Sequence, residues 1–453
     1  MEKPHSMRKF KVIMISMLMA VTTHTSAYET TNNEPAKTLI KNVSIFNGVS
    51  KELIIGKDLI VVENKISKIV NSGSDESDYL TIIDGQGGYL TPGLIDSHSH
   101  AVMGSGVGIF FNADPNYIQL FATKELKEML MRGVTTIRDA GGNTFALKKA
   151  IDEGIIDGPR IYPSGAVISQ YSGHGDFRPS NPAIPPKEWG GPRAPGEANG
   201  HVMLANGVDQ VTAAVRQQLF LGATQIKLAV GGGVSSFTDP LYVNEYSPEE
   251  IAAAVRAASD YGTYVQVHAF NEVGIKRSIE AGVKTIEHGH LLSEDNAKLM
   301  AKHGVILSTQ VQVIEQLRPI YTDEIRKGKL EEALNGMDNM FKLAKKYNLK
   351  VAFGTDLLFS YQGRKQQLRD LTLRKQWYES SEIMIQATSV GGEVVALSGK
   401  RNPYGKVGVI EEGAMADILI YSENPLEDVS VVEDYQANLK LIVKDGNVVK
   451  NTL

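Results

Sequence analysis

Six side chains of the types that bind metal ions stand at the ends of short apolar segments of the chain. Two of them, His98 and His100, close the segment GLIDSHSH, and the others are Lys227 in QIKLAV, His268 in VQVHAF, His288 in IEHGH and Asp356 in FGTDL. Imidazole nitrogens and carboxylate oxygens are the usual protein ligands of zinc and related divalent ions. This set of residues predicts a metal site.

The spacing and setting of these residues favour one shared site over six unrelated core positions. Side chains at positions i and i+2 of a strand project from the same face, so His98 and His100 have the geometry of a chelate. The chain has only 10 histidines, and core packing gives no reason to place four of them at strand ends. Lys227 lies between two apolar residues and is costly to bury as a cation. Carbamylation by carbon dioxide would turn it into an anionic, bridging ligand.

Positions so far apart in sequence need a fold that brings the ends of many strands together. Between residues 93 and 402, buried strands alternate with amphipathic helices such as SPEEIAAAVRAASDYG, a pattern typical of a parallel sheet. Eight segments read as strands: GLIDSHSH, VTTIRDAG, RIYPSG, QIKLAVGGG, YVQVHAF, TIEHGHL, VILSTQV and VAFGTDL. We therefore predict an α/β fold with a (β/α)8 TIM barrel, in which functional groups cluster at the carboxy ends of the strands. A doubly wound open sheet is the alternative, and no GxGxxG fingerprint supports it.

The two ends of the chain have a different pattern from the middle. Residues 37–92 and 403–453 contain short alternating segments, including LIIGKDLIVVEN and LKLIVKDGNVV, separated by turn residues. We predict that both ends together build one small β-sandwich domain beside the barrel.

The first 27 residues have the pattern of a secretory signal peptide. An apolar run, Val12–Val21, follows a basic stretch and precedes small residues that end at Ala27. The run is shorter than the roughly 20 residues that span a bilayer, which disfavours a retained membrane anchor. We predict export to the periplasm or the cell exterior, with no stable membrane insertion after the signal is removed.

Composition narrows the class of function. The chain has 453 residues, 42% of them hydrophobic, and a formal charge of -5, which predicts a globular protein without the basic surface of a nucleic-acid binder. It has no cysteine, so disulfides and thiolate ligands are excluded. A solute-binding protein would have no reason to carry six such ligands at strand ends. A small molecule or dipeptide is the expected partner, and a homo-oligomer is left open.

The strand and ligand pattern resembles the amidohydrolase superfamily over essentially the whole mature chain. Within it, the chain most resembles the branch related to imidazolonepropionase, which contains prolidases (Xaa-Pro dipeptidases) and related carboxypeptidases and ochratoxin-hydrolysing enzymes. The motifs that carry this resemblance are TPGLIDSHSH, GHGDFR, QIKLAVGGGV, VHAFNEVGIKRSIEAGVKTIEHGHLL and EGAMADILIY.

The resemblance implies a division of labour among the six candidate ligands. His98, His100 and Asp356 would hold one metal ion. His268 and His288 would hold a second, and carbamylated Lys227 would bridge the two, with two zinc ions as the best match. Asp356 would also be the catalytic acid and base, accepting the proton of the attacking water and passing it to the leaving amine.

Three further residues are candidates for binding the substrate, and one histidine departs from the branch's usual pattern. His174 and Arg178, in SGHGDFR, either solvate a loop or bind the free carboxylate of a peptide-like substrate, and the resemblance favours binding. Tyr242 either donates a hydrogen bond to the developing oxyanion or packs as an ordinary tyrosine. His290 could replace His288 as ligand or contact substrate, but a solvent-facing side chain is the expectation.

Together these observations predict a metal-dependent hydrolase that cleaves the amide bond of a dipeptide or an N-acyl amino acid. The alternative is a cyclic-amide hydrolase of the imidazolonepropionase type. Export disfavours that alternative, since ring-opening catabolism of this kind is usually cytosolic.

Overall fold

Alternating strands and helices make up the part of the chain that the structure, a computed structural model, describes: residues 37–73 and 75–453. The strands are β1 (Lys37–Ile45), β2 (Ile54–Val62), β3 (Lys65–Asn71), β4 (Thr81–Pro92), β5 (Leu94–Ser99), β6 (Val134–Asp139), β7 (Arg160–Pro163), β8 (Val167–Ser169), β9 (Val202–Leu204), β10 (Ile226–Ala229), β11 (Val265–Ala269), β12 (Thr285–His288), β13 (Ile306–Thr309), β14 (Val351–Phe353), β15 (Ile418–Tyr421), β16 (Leu439–Lys444) and β17 (Asn447–Asn451). The helices are α1 (Val107–Asn112), α2 (Pro115–Met131), α3 (Phe145–Asp152), α4 (Pro195–Ala198), α5 (Gly207–Leu221), α6 (Pro248–Asp260), α7 (Glu272–Ala281), α8 (Glu294–His303), α9 (Gln312–Leu317), α10 (Glu324–Lys346), α11 (Tyr361–Arg364), α12 (Arg369–Leu373), α13 (Ser380–Ala387), α14 (Ser389–Ala396), α15 (Ser430–Glu433) and α16 (Tyr435–Asn438).

Strands from the two ends of the chain form one seven-stranded sheet, in the order β17-β16-β15-β4-β1-β2-β3. The join lies between β4 and β15, where Leu90 is the antiparallel partner of Ile420. The sheet closes over its own apolar core. The amide of Ile66, in the edge strand β3, donates to the carbonyl of Ala414 (2.9 Å), which lies just before β15. The prediction that both chain ends build one small β domain is confirmed.

Eight parallel strands form the barrel: β5, β6, β7, β10, β11, β12, β13 and β14. All eight coincide with segments predicted from the sequence. The last strand returns to the first through Thr355, whose amide donates to Asp96 Oδ1 (3.0 Å), and through the amide of Asp356, which donates to the carbonyl of His98 (2.7 Å). The closure therefore runs through two of the residues predicted to do chemistry.

Two short strands, β8 and β9, were not predicted. β8 pairs with β10 at Ile168 and Leu228, and β9 pairs with β8. Each is three residues long. Runs this short are too brief for hydrophobic periodicity to distinguish them from loops.

Capping residues mark the ends of the helices between the later barrel strands. The side chain of Ser247 accepts a hydrogen bond from the amide of Glu250 and caps α6 in a capping box. The side chains of Asn271 and Ser293 each accept one backbone amide hydrogen bond at the start of α7 and α8, and both helices end at glycines with positive φ. Their apolar faces pack on the outside of the barrel in the largest core cluster.

A buried ion pair joins the barrel to the small domain. Arg160 of β7 reaches Asp417, just before β15, with 3.0 Å between Nη2 and Oδ1. The described residues, 37–73 and 75–453, accordingly belong to one compact unit. The predicted domain limits at residues 92/93 and 402/403 stay predictions, and the predicted signal peptide, residues 1–27, lies outside the described residues. Among the described helices, none combines the length and apolarity needed to cross a membrane.

Candidate active site

One cavity of about 590 Å³ at the carboxy ends of the barrel strands contains all six predicted metal ligands in its lining. These are His98, His100, Lys227, His268, His288 and Asp356. They come from five barrel strands or the residues that follow them. The parallel barrel therefore brings these side chains to one face, as the strand pattern predicted.

Three of the six form the tightest group. Asp356 Oδ1 lies 3.4 Å from His98 Nε2 and 3.1 Å from His100 Nε2. The ligand atoms of these three side chains all lie within 4.8 Å of one another, close enough to share a single ion. This is the histidine pair that the i, i+2 spacing predicted.

The remaining candidates adjoin that group. The ring centroid of His288 lies 5.0 Å from that of His98 and 4.4 Å from that of His268. Lys227 is buried on the neighbouring strand β10, and Ala229 at the end of that strand is in register with His268. All six candidate ligands therefore share one end of the cavity lining.

Hydrogen bonds fix the orientation of each histidine ring. They also determine which ring nitrogen is left to bind a cation. One ring nitrogen of each donates to an oxygen: His98 Nδ1 to Glu287 Oε2 (2.8 Å), His100 Nδ1 to the Gly141 carbonyl (2.9 Å), His288 Nδ1 to Gln310 Oε1 (2.8 Å) and His268 Nε2 to the Gly232 carbonyl (3.2 Å). In a neutral imidazole the other nitrogen then carries a lone pair. The lone pairs of His98 and His100 face the carboxylate of Asp356, an arrangement that suits a metal ion between them.

Burial keeps these histidines in the form that can bind a metal. It lowers the pKa of His98 and of His268 well below the usual value, and lowers the pKa of His288 to about 3. At neutral pH the three rings are therefore neutral. Burial also lowers the pKa of Lys227 to about 8, against the opposing effect of the Glu287 and Asp356 carboxylates.

Two of the candidate ligands have left-handed backbone conformations. The φ angles of His288 and Asp356 are +73° and +51°. Non-glycine residues rarely adopt such values, and they cluster at functional sites. In a regular strand His288 would face the same side as Ile286, which packs in the apolar core outside the barrel, yet its side chain lines the cavity. The unusual backbone accompanies this change of direction.

A buried ion pair inside the barrel holds His98, and sequence reasoning missed it. Glu287 accepts from His98 Nδ1 and also accepts two hydrogen bonds from Arg138 Nη2, at 2.8 and 2.7 Å. Both residues are fully buried, and Thr285 Oγ1 donates to the same carboxylate (2.6 Å). Period-2 alternation could have found Glu287, because in TIEH its side chain must point into the barrel. Gln310, which accepts a hydrogen bond from His288, was likewise not identified from the sequence.

Replacing Glu287 with alanine is expected to lower the free energy of unfolding by about 3–5 kcal/mol, since Arg138 would be left buried without its partner. Chemical denaturation measures this change. Glu331→Ala is the matched control, because Glu331 also pairs with an arginine, Arg318, but on the surface (2.9 Å), and little change is expected there. Equal losses in both variants would contradict the role given to the buried pair.

Two of the three predicted substrate-binding residues line the cavity, and the third does not. The His174 ring stacks on that of His268, with centroids 4.0 Å apart, and its Nδ1 donates to Asp239 Oδ2 (3.0 Å). Arg178 also lines the cavity, beside Asp176. Tyr242 is 75% exposed and is not part of the lining, so the structure does not bring it to the site, and its oxyanion role stays a prediction.

The expectation that His290 faces solvent is wrong. The side chain is buried, its ring stacks on Phe270 at 5.3 Å, and its Nε2 donates to the Gln310 carbonyl (3.0 Å). Phe270 stacks in turn on His288, at 4.9 Å. The chain turns at Gly289, beyond the end of β12, so strand alternation no longer predicts where His290 points. His290 packs against Phe270, which stacks on His288, and is not part of the cavity lining.

Comparison with known proteins agrees with this geometry. Residues 89–449 match the amidohydrolase family. The chain belongs to the amidohydrolase family. It is 30% identical to the ochratoxinase of Aspergillus niger over 401 residues, which cover 83% of this chain and 80% of that one.

Solved structures and a distant homologue place this amidohydrolase more narrowly. A prolidase solved in complex with N-methylphosphonate-L-proline is 30% identical, with a TM-score of 0.84, covering 92% of this chain and all of the other. The imidazolonepropionase of Treponema denticola is 22% identical over 91% of this chain and 99% of its own length. The resemblance predicted from the sequence motifs is confirmed, and these findings indicate a hydrolase that acts on amide bonds.

Proposed function

We propose that this amidohydrolase is a metal-dependent exo-acting enzyme that removes the carboxy-terminal amino acid from a dipeptide or an N-acyl amino acid. The observation that carries the proposal is the convergence of four histidines, Lys227 and Asp356 on one cavity, with each histidine offering a lone pair. The likeness to a prolidase and to an ochratoxinase supports the choice of substrate.

The residues present fit a pair of divalent ions. His98, His100 and Asp356 would hold one ion and His268 and His288 the second, with carbamylated Lys227 between them and zinc as the best match for these ligands. When bound, such ions supply Lewis acidity and lower the pKa of a nearby water towards neutrality.

The low pKa of Lys227 supports its carbamylation. Only a neutral amine adds to carbon dioxide, and with a pKa of about 8 about one Lys227 in ten is neutral at pH 7, far more than for an ordinary lysine. The addition forms a bond between Nζ and the carbon of carbon dioxide and releases a proton. The product is an anion, which suits a position between two cations.

Asp356 would move the proton in hydrolysis. Its carboxylate would accept a proton from the attacking water and return it to the amine nitrogen as the amide bond between carbon and nitrogen breaks. The water oxygen stays on the acyl carbon, so the products are a carboxylic acid and a free amino acid. His174, whose Nδ1 donates to Asp239, lines the same cavity.

Arg178 offers one edge of its guanidinium to a substrate carboxylate. Asp176 binds the adjacent edge through Nε (2.8 Å) and Nη2 (2.6 Å). Nη1 makes no hydrogen bond with any described residue, so the edge formed by Nη1 and Nη2 remains for a second carboxylate. The pair with Asp176 and the stacking on Tyr171, at 4.9 Å, hold the guanidinium in place.

Arg178→Met is expected to lower kcat/KM for free-acid substrates on the order of a hundredfold, because a charge-assisted hydrogen bond is worth a few kcal/mol. Amidated analogues lack the carboxylate that Arg178 would bind, so their kcat/KM is expected to be low and to change little. Steady-state kinetics on matched acid and amide pairs measures both. The control is Arg216→Met, an exposed position on α5. Similar losses on both substrate types would make Arg178 structural and favour a neutral or cyclic amide.

The proposal is tested by screening purified protein against dipeptides and N-acyl amino acids, with an imidazolone ring as the competing substrate class. Release of a free amino acid is the expected result. Ring opening without release of an amino acid would favour the cyclic-amide alternative.

Export directed by residues 1–27 is also part of the proposal, and sequencing of the mature amino terminus in a secreting host tests it.

A further inference from the structure

A second cavity of about 480 Å³ is lined by residues of the helical layer rather than by the strand ends. Its lining comes from the end of α2, from the segment that joins α11 to α12, and from α15 and α16. It shares no lining residue with the active-site cavity. No step of the proposed hydrolysis uses these residues, so a ligand here would leave the catalytic cavity free.

Arg132, in the lining of this second cavity, is a buried cation. It is 3% exposed, and its Nε and Nη2 both donate to the neutral amide oxygen of Gln367, at 3.2 and 3.0 Å. No carboxylate oxygen of the described residues lies within 4.0 Å of its guanidinium nitrogens. Burial lowers the pKa of Arg132, against the opposing effect of the nearby Tyr435 and Glu128. Because a buried charge without a partner is costly, this guanidinium would stabilise an anion in the cavity.

One edge of the Arg132 guanidinium is free and is held in place. Nη1 makes no hydrogen bond with any described residue and is not sealed from solvent, so the edge formed by Nη1 and Nη2 can take an acceptor from the cavity. The partner on the other edge is itself fixed, because Gln367 Nε2 donates to Asp96 Oδ2 (2.8 Å) and both side chains are buried. A planar fork that is ordered before a ligand arrives suits a carboxylate.

The lining of this cavity carries side chains of both charges in equal number. The basic ones are Arg132, Lys365 and Arg369, and the acidic ones are Glu128, Glu433 and Asp434. None of the six forms an ion pair with another described residue. A doubly charged phosphate would be repelled by the three acids, whereas a molecule with one carboxylate and one ammonium group finds a partner for each. Met131 and Leu368 add apolar surface for a side chain.

We propose that this second cavity binds a free α-amino acid with an apolar side chain. Its carboxylate would pair with the Nη1–Nη2 edge of Arg132, and its ammonium group would lie towards Glu128, one helical turn earlier on α2. Tyr361 Oη donates to Glu128 Oε1 (2.6 Å), which leaves Oε2 for the ammonium group. A volume of about 480 Å³ is ample for such a ligand. This binding needs neither a metal ion nor the substrate of the proposed hydrolysis.

Equilibrium dialysis with radiolabelled L-leucine tests the site in purified Arg178→Met protein, which lacks the carboxylate-binding candidate of the catalytic cavity. One L-leucine should bind per chain. Adding Arg132→Met should weaken that binding at least tenfold, because the charge-assisted hydrogen bonds to the carboxylate are lost. Adding Arg216→Met instead, at an exposed position of α5, should change nothing. No binding of L-leucine, or equal binding in both double variants, would overturn the proposal.

Leucine analogues and a half-buried position test the ammonium end of the site. Glu128→Gln keeps an acceptor for Tyr361 but loses the negative charge, so it should weaken L-leucine binding about fivefold and leave binding of 4-methylpentanoate, which has no ammonium group, unchanged. Glu423→Gln, exposed and outside the cavity lining, is the matched control and should affect neither ligand. If 4-methylpentanoate bound as tightly as L-leucine, or inorganic phosphate more tightly, the assignment to an amino acid would be overturned.

Discussion

His98→Ala is expected to lower kcat/KM on the order of a thousandfold or more and to reduce bound metal, and His268→Ala should do the same. Each variant removes a side chain whose free ring nitrogen faces the cavity and whose other nitrogen is already committed to an acceptor. No other described side chain occupies the position of either imidazole ring. Loss of a direct ligand weakens both the metal site and the activation of water that depends on it.

Metal content and turnover are compared with those of a variant at a histidine outside the cavity. His303, exposed at the end of α8, provides it, and His303→Ala should keep both its metal content and its turnover. Metal content is measured by elemental analysis of the purified proteins and turnover on the N-acyl amino acid that the wild type cleaves. Full metal content and normal turnover in His98→Ala would refute the assignment.

Lys227→Ala is expected to be inactive, with partial recovery in the presence of short carboxylic acids. A neutral or cationic amine cannot bridge two cations, whereas a carbamate can, and a small acid can enter the space that the shortened side chain leaves. Lys227→Met fills that space with an apolar chain, so no recovery is expected there. This contrast separates loss of the anion from loss of packing.

A direct readout of the carbamate is available in the wild type. Protein equilibrated with carbon-13-labelled bicarbonate should show a carbamate carbon signal that is absent from Lys227→Met, while Lys342→Met, at an exposed position of α10, should retain it. A high-resolution experimental map with an unmodified Lys227 remote from any metal would contradict the prediction.

The barrel and the placing of the candidate ligands were predictable because both follow from short-range patterns. Eight buried strands alternate with capped helices, and a parallel barrel sends the carboxy ends of all its strands to one face. A histidine, lysine or aspartate at a strand end is therefore placed at the site by topology alone. The six candidate ligands could therefore be located from the sequence without any measured distance between them.

The residues that orient those ligands were not predictable in the same way. Glu287 holds His98 through a contact between the sixth barrel strand and the first, and Gln310 holds His288 from the seventh. Such partners depend on side-chain directions across the barrel, which strand spacing does not specify. Glu287 alone had a signal, since a carboxylate pointing into a barrel interior needs a partner.

Loop residues mark the other limit of what the sequence predicts. His174 and Arg178 line the cavity as expected, but Tyr242 is exposed and His290 is buried against expectation. His290 lies just beyond β12 and Tyr242 lies in the long loop after β10, so strand alternation does not predict the direction of either side chain.

The central claim, that the cavity holds divalent ions required for amide hydrolysis, is tested most directly by metal analysis during removal and return of metal. The proposal predicts about two equivalents of divalent metal in active protein, loss of metal and hydrolysis together on chelation, and recovery of both on addition of zinc. Protein that stays fully active after its metal has been removed would contradict it.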